Sequence, residues 1–312
     1  MIEDARSLRT NLRAFLGLQP SHPARLATSH TRQHPEGYVV EDLTLETNGT
    51  LIPATLTRPE RTGRIPGVLY CHARSDPALG RKELLNGSPY LQEPAYGAAL
   101  ARLGIAALCV DMPGFGDRRA EGTEAKLAQD RANAGRSLFA TMLGELAAAL
   151  GYFRSRDDIH DHRVFTLGFS MGAAHAFWLA ALEDGVAGTA HACMLADLGP
   201  MIEDGSQALL GPALSVTGLL KIAEIGDVAG LAAPIPQLVC HGRKDPLTPL
   251  AARDNALARL QTAYSHDPGK LQTMIDANAG HSESAAMRVA ILDFLAQVSL
   301  APIPFADEGW RG

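Results

Sequence analysis

Five short apolar runs recur along this chain, most of them separated by a segment long enough for a helix, and that rhythm restricts the folds open to it. The runs are 67–71 (Gly-Val-Leu-Tyr-Cys), 105–110, 164–167, 192–195 and 237–240. Each is nearly continuous in apolar residues rather than alternating with polar ones, as strands buried on both faces require. Helical segments are predicted at 92–103, 122–156, 171–184 and 249–264, and a further strand at 271–275 leads into a last helix at 284–298. Strands alternating with helices build a mostly parallel sheet covered on both sides, an α/β fold.

The chain opens differently. Residues 38–46 and 51–57 alternate apolar and polar around Asn48-Gly49, which predicts an antiparallel hairpin. Ahead of it, residues 1–36 read as a helical extension, with Leu8, Leu12, Phe15 and Leu16 at helical spacing, followed by a connector containing Pro and His. Residues 198–234, rich in Gly, Leu and Ala, read as a short helical insert at the carboxyl edge of the sheet, where ligands bind in such folds. No repeat and no linker divides the 312 residues, so a single domain is expected.

A net charge of -6 argues against nucleic acid or an anionic membrane as partner, because there is no basic excess to neutralise phosphates. No stretch is apolar enough to span a bilayer, and the polar opening residues do not read as a signal peptide. Cys71, Cys109, Cys193 and Cys240 each fall in an apolar run without a C-x-x-C pair, which reads as four buried reduced thiols in a cytoplasmic protein. Homo-oligomerisation is left open.

Chemistry concentrates at Gly168-Phe169-Ser170-Met171-Gly172, a G-x-S-x-G sequence with a β-prone run before it and a helix-forming run after it. On such a strand-to-helix turn the two glycines let strand and helix approach while the serine hydroxyl is held up at the strand end. A serine hydroxyl is a weak nucleophile and needs a base that a third group orients. Both partners follow in the order this architecture requires: Asp245 on the loop after the 237–240 run, and His281 on the loop before the last helix. Asp276 and Glu283 stand as alternative acids. The amide of Met171, at a helix start, is one candidate oxyanion donor; the other is the Arg74 amide, with Ala73 as the alternative.

Other features read more plainly. His160, Asp161 and His162 form a solvent-exposed turn rather than a metal site, and neither metal nor cofactor is expected. His175 is a packed or capping residue, Trp178 belongs to the core, and His72 and His241 are hydrogen-bond partners near the site. Arg74, Arg81, Lys82, Arg118 and Arg119 are solvated loop charges, with a basic rim for an acidic substrate as the other reading.

Taken together, 66–72, 111–118, the serine turn, 233–236 leading to Asp245, and Gly280-His281 resemble the α/β-hydrolase superfamily, within it the dienelactone-hydrolase and acetyl-xylan-esterase-like branch. The resemblance spans roughly residues 38–300. It implies a serine esterase with Ser170 as nucleophile, Asp245 as acid and His281 as base, acting without a cofactor on small-molecule esters of short acyl groups. Two departures stand out. Dienelactone hydrolases carry cysteine where Ser170 stands, and the family's His-Gly is His72-Ala73 here. The competing readings are a peptidase or amidase of the acylaminoacyl-peptidase type and a fold that binds without catalysing.

Overall fold

A computed structural model describes residues 2–19 and 22–301. Nine strands form one sheet in the order β1-β2-β3-β5-β4-β6-β7-β8-β9. They are β1 (Arg25–Gln33), β2 (Tyr38–Thr47), β3 (Thr50–Pro59), β4 (Ile65–Cys71), β5 (Ala106–Val110), β6 (Ile159–Phe169), β7 (Thr189–Ala192), β8 (Gln237–Gly242) and β9 (Leu271–Asp276). The first three pair antiparallel and β3 pairs antiparallel with β5, whereas β4 to β9 run parallel. The helices are α1 (Ile2–Phe15), α2 (Glu83–Asn86), α3 (Tyr96–Arg102), α4 (Glu124–Asn133), α5 (Leu138–Arg154), α6 (Met171–Leu182), α7 (Leu198–Asp204), α8 (Ile225–Gly230), α9 (Leu250–Ala263) and α10 (Ala285–Leu300).

Burial on both faces explains the continuous apolar runs. In β4, Leu69 and Cys71 join the cluster formed with α5, α6, α8 and α9, while Val68 and Tyr70 join the one formed with α3 and α10. β5 divides in the same way, with Leu108 and Val110 on one side and Ala107 and Cys109 on the other. From β4 the chain returns through β5 on one flank and then through β6 on the other, so the strand order reverses between β4 and β6. Crevices at such a reversal, at the carboxyl ends of the strands, are where open α/β sheets bind ligands.

The structure corrects several expectations. The segment before the hairpin is not only helical: α1 is followed by β1, an edge strand exposed along its whole length and missed because it has no apolar face to read. Part of the predicted connector, Pro20 and Ser21, lies outside the described residues. The predicted helix at 122–156 is two helices, broken at Gly135, whose φ of 70° a helix cannot continue. Thr123 caps the first and Ser137 the second through side-chain oxygens. The strand expected at 192–195 is β7, which ends at Ala192. Cys193 leaves the sheet with φ 60°, and Met194 and Ala196 are apolar because they face the 198–234 insert. His160 and His162 lie within β6 rather than on a turn, His162 pairing with Asp161 at 3.3 Å.

The insert is helical, as expected, with α7, α8 and three single 3-10 turns between them. All four cysteines are free and buried. Among the described residues no helix is long and apolar enough to cross a membrane.

Candidate active site

Ser170 stands between β6 and α6 with φ 55° and ψ -122°, a backbone region costing a non-glycine residue roughly 1–3 kcal/mol. Close contacts on both sides hold it there. A Cβ on Gly168 would lie 2.2 Å from the Gly172 carbonyl, and one on Gly172 would lie 1.9 Å from the Cys71 oxygen. Any side chain at either position would push α6 off the sheet and release the strained turn.

The three residues singled out from three strand ends meet. His281 Nε2 lies 2.8 Å from Ser170 Oγ, and His281 Nδ1 lies 2.9 Å from Asp245 Oδ2. A carboxylate accepts hydrogen bonds, so the arrangement favours the tautomer with its proton on Nδ1, leaving the Nε2 lone pair toward the serine. The Asp245 side chain is inaccessible to solvent, and its other oxygen accepts from the Leu247 amide at 2.8 Å. Phe169 packs against the His281 ring, centroids 5.1 Å apart. The loops carrying acid and base are joined by the Arg243 and Lys244 amides, which donate to the Asp276 and Ala279 carbonyls at 2.8 and 2.9 Å. Gly242 makes that approach possible: a Cβ there would meet the Gly280 oxygen at 2.3 Å.

The alternative acids have other work. Asp276 Oδ1 accepts from the Asn278 and Ala279 amides and shapes the turn that leads to His281. Glu283 is buried in an ion pair with Arg288, 2.8 Å at its nearest, and also accepts from Tyr96 Oη and the Gln92 amide.

The loop after β4 separates the two candidate oxyanion donors. The Ala73 amide donates to Glu83 Oε1 at 2.9 Å and so is already engaged. The Arg74 amide donates to no acceptor among the described residues. Met171 opens α6, and the first amides of a helix have no partner within it.

His72 behaves as expected, tying two loops together: its Nε2 accepts from the Met112 amide at 3.2 Å and its Nδ1 donates to the Ala73 carbonyl at 2.9 Å. Burial lowers its pKa, consistent with the neutral ring those bonds require. His175 is packed, stacked on Phe139 and bonded through Nδ1 to the Met171 carbonyl, and burial holds it at about 4. His241 departs from expectation: its buried ring makes no hydrogen bond among the described residues, and burial lowers it to about 4.

Four of the five basic residues considered for a rim are paired with acids, so they form no open basic surface; Arg81 and Arg118 are largely buried, while Arg74 and Lys82 stay partly solvated, as expected. Arg81 and Lys82 pair with Asp117, Arg81 also with Asp111, Arg118 with Glu121 and Glu145, and Arg74 with Glu124. Arg119 donates to the Gly116 carbonyl. Among the described residues no group of three or more His, Cys, Asp or Glu could hold a metal.

Sequence reasoning missed Glu83 and Glu124. Glu83 acts on the loop after β4, a few turns back along the chain, and Glu124 on a loop far along it, and no residue spacing marks either.

Known proteins place this arrangement in context. No family model matches the chain. It is 30% identical over 292 residues to "Putative hydrolase YtaP" of Bacillus subtilis (strain 168), covering 92% of this chain and 97% of that protein. Acetyl xylan esterase 1 from Thermoanaerobacterium sp. JW/SL YS485 shares its fold with a TM-score of 0.64 at 18% identity, covering 95% of this chain and 94% of that one. A glucuronoyl esterase from Solibacter usitatus does so with a TM-score of 0.68 at 13% identity, covering 94% and 92%. With its mixed sheet, strand-end serine turn and near-complete overlap with YtaP, the chain belongs to the α/β-hydrolase family that includes this Bacillus subtilis protein.

Proposed function

We propose that this protein is a serine carboxylic-ester hydrolase that transfers a short acyl group to water through Ser170. One observation carries the reading: a single imidazole, His281, bridges Ser170 Oγ and the buried Asp245 carboxylate at hydrogen-bond distance on both sides.

His281 takes the Ser170 proton as Oγ attacks the ester carbonyl. The Met171 and Arg74 amides receive the developing negative charge on the carbonyl oxygen. His281 then protonates the departing alcohol, leaving an acyl-serine. Water, deprotonated by the same imidazole, attacks that ester in turn, and the acid leaves with Ser170 reprotonated. Asp245 holds the ring in its working tautomer and stabilises the imidazolium formed in each half.

A preference for small acyl groups draws support from the fold shared with an acetyl xylan esterase, whose named acyl group has two carbons. Four reduced, buried thiols fit a reducing compartment such as the cytoplasm.

Hydrolysis of p-nitrophenyl esters from acetate to octanoate, set beside aminoacyl anilides, tests the reading. Acetate and butyrate are expected to give the highest kcat/KM, with activity lost in Ser170→Ala. Faster anilide cleavage would identify a peptidase, and equal rates for wild type and Ser170→Ala would remove the serine mechanism.

A further inference from the structure

Glu83 is a buried acid whose hydrogen-bond partners are all neutral and all belong to β4 or the loop that follows it. Its Oε1 accepts from Tyr70 Oη at 2.6 Å and from the Ala73 amide at 2.9 Å, and its Oε2 accepts from Ser75 Oγ at 3.3 Å. The residue is 1% exposed. Burying an acid costs free energy unless its oxygens are satisfied, so a carboxylate kept at this point fixes the groups around it.

We propose that Glu83 is a positioning residue for the oxyanion hole: by holding the Ala73 amide away from the site, it presents the next amide, Arg74, to the substrate carbonyl. The proposal rests on the esterase reading above. Three other contacts make the brace effective. His72 Nδ1 donates to the Ala73 carbonyl, fixing the following peptide. Gly172 brings α6 against the Cys71 and His72 carbonyls, so the loop has no room to slide toward the helix. Tyr70, on the same strand and fully buried, fixes Glu83 in turn. Freed of the carboxylate, the Ala73 peptide is able to rotate, and the Arg74 amide moves with it. Oxyanion donors act through exact placement, and losing one costs about 10²–10³ in kcat.

The role needs an acceptor and not a charge, which sets the test. Glu83→Gln keeps an oxygen for the Tyr70 hydroxyl and the Ala73 amide, and its NH2 is able to donate to Ser75 Oγ. Glu83→Met has similar length and no oxygen. With p-nitrophenyl acetate, Glu83→Met is expected to lose about 100-fold in kcat with KM within about threefold. Its affinity for a trifluoromethyl ketone, which binds as a tetrahedral adduct, is expected to fall in parallel. Glu83→Gln is expected to stay within about threefold of wild type in both measures. Equal losses in both variants, or a folded Glu83→Met with wild-type kcat, would overturn the proposal. So would a Glu83→Met that is unfolded at the assay temperature, since the acid would then hold the core rather than the loop. A wild-type protein that neither hydrolyses the ester nor binds the ketone would instead remove the esterase reading itself, an outcome no Glu83 variant produces.

Discussion

Gly172, two residues beyond Ser170, faces the Cys71 carbonyl so closely that a Cβ would stand 1.9 Å from its oxygen. This contact joins the helix behind Ser170 to the strand that carries the opposite wall of the site. Gly172→Ala has no flexible neighbour to displace, only backbone. It is expected to destabilise the fold by at least about 3 kcal/mol and to abolish ester hydrolysis even where folded protein is recovered. Thermal unfolding followed by CD, with activity measured on the same samples, checks both.

Asp245 and Asp276 separate cleanly. Asp245→Asn removes the acceptor that fixes His281 and is expected to lower kcat about 10³–10⁴-fold. Asp276 accepts from two turn amides and from the Ser284 side chain, so Asp276→Asn is expected to remain within about threefold of wild type, because an amide oxygen serves those bonds too. Steady-state kinetics of the two variants side by side decide the assignment of the acid.

Substitution can separate the Arg74 side chain from its backbone amide. Its guanidinium reaches Leu210 O at 3.1 Å and Glu124 at 2.8 Å, and Glu124 also accepts from the Ala213 amide at 2.9 Å. The loop after β4 is thereby tied to the insert. The side chain is 39% exposed, so the ion pair contributes only about 0–1 kcal/mol to stability. Arg74→Ala keeps the backbone amide and is expected to unfold near the wild-type temperature while losing about tenfold in kcat/KM through a looser site. A double-mutant cycle with Glu124→Ala checks that the two residues act together.

Much of this was legible in the sequence, and the exceptions share a cause. Strands buried on both faces announce themselves as apolar runs, which is why β4, β5, β6 and β8 were readable from residues alone. The serine turn, Asp245 and His281 were legible because chain order and strand ends constrain them. β1 was not, since an edge strand held by backbone bonds needs no apolar face. The end of β7 was missed because Met194 and Ala196 are apolar for the sake of the insert rather than the sheet. Glu83 in a polar stretch looks like any surface acid until the fold carries it beneath the loop after β4.

Buried imidazoles make the fold sensitive to acid. Burial holds His175 and His241 at about 4 and His191 at about 3, against 6.5 in an unfolded chain. As pH falls from 6.5 toward 4 the unfolded chain takes up protons that these rings refuse, so their contribution to stability, fully present above 6.5, is progressively lost. Urea midpoints are expected to fall between neutral pH and about pH 5. His175→Phe, which keeps the stacking on Phe139, is expected to make that decline shallower; an unchanged slope would show that His175 plays no part in it.

The most direct test of the central claim is covalent. Wild-type protein treated with a fluorophosphonate probe and digested is expected to carry one adduct, on the peptide containing Ser170, and His281→Ala is expected to slow labelling by at least about 100-fold because the serine loses its base. An unlabelled wild-type protein, an adduct on another residue, or labelling of His281→Ala at the wild-type rate would contradict the account.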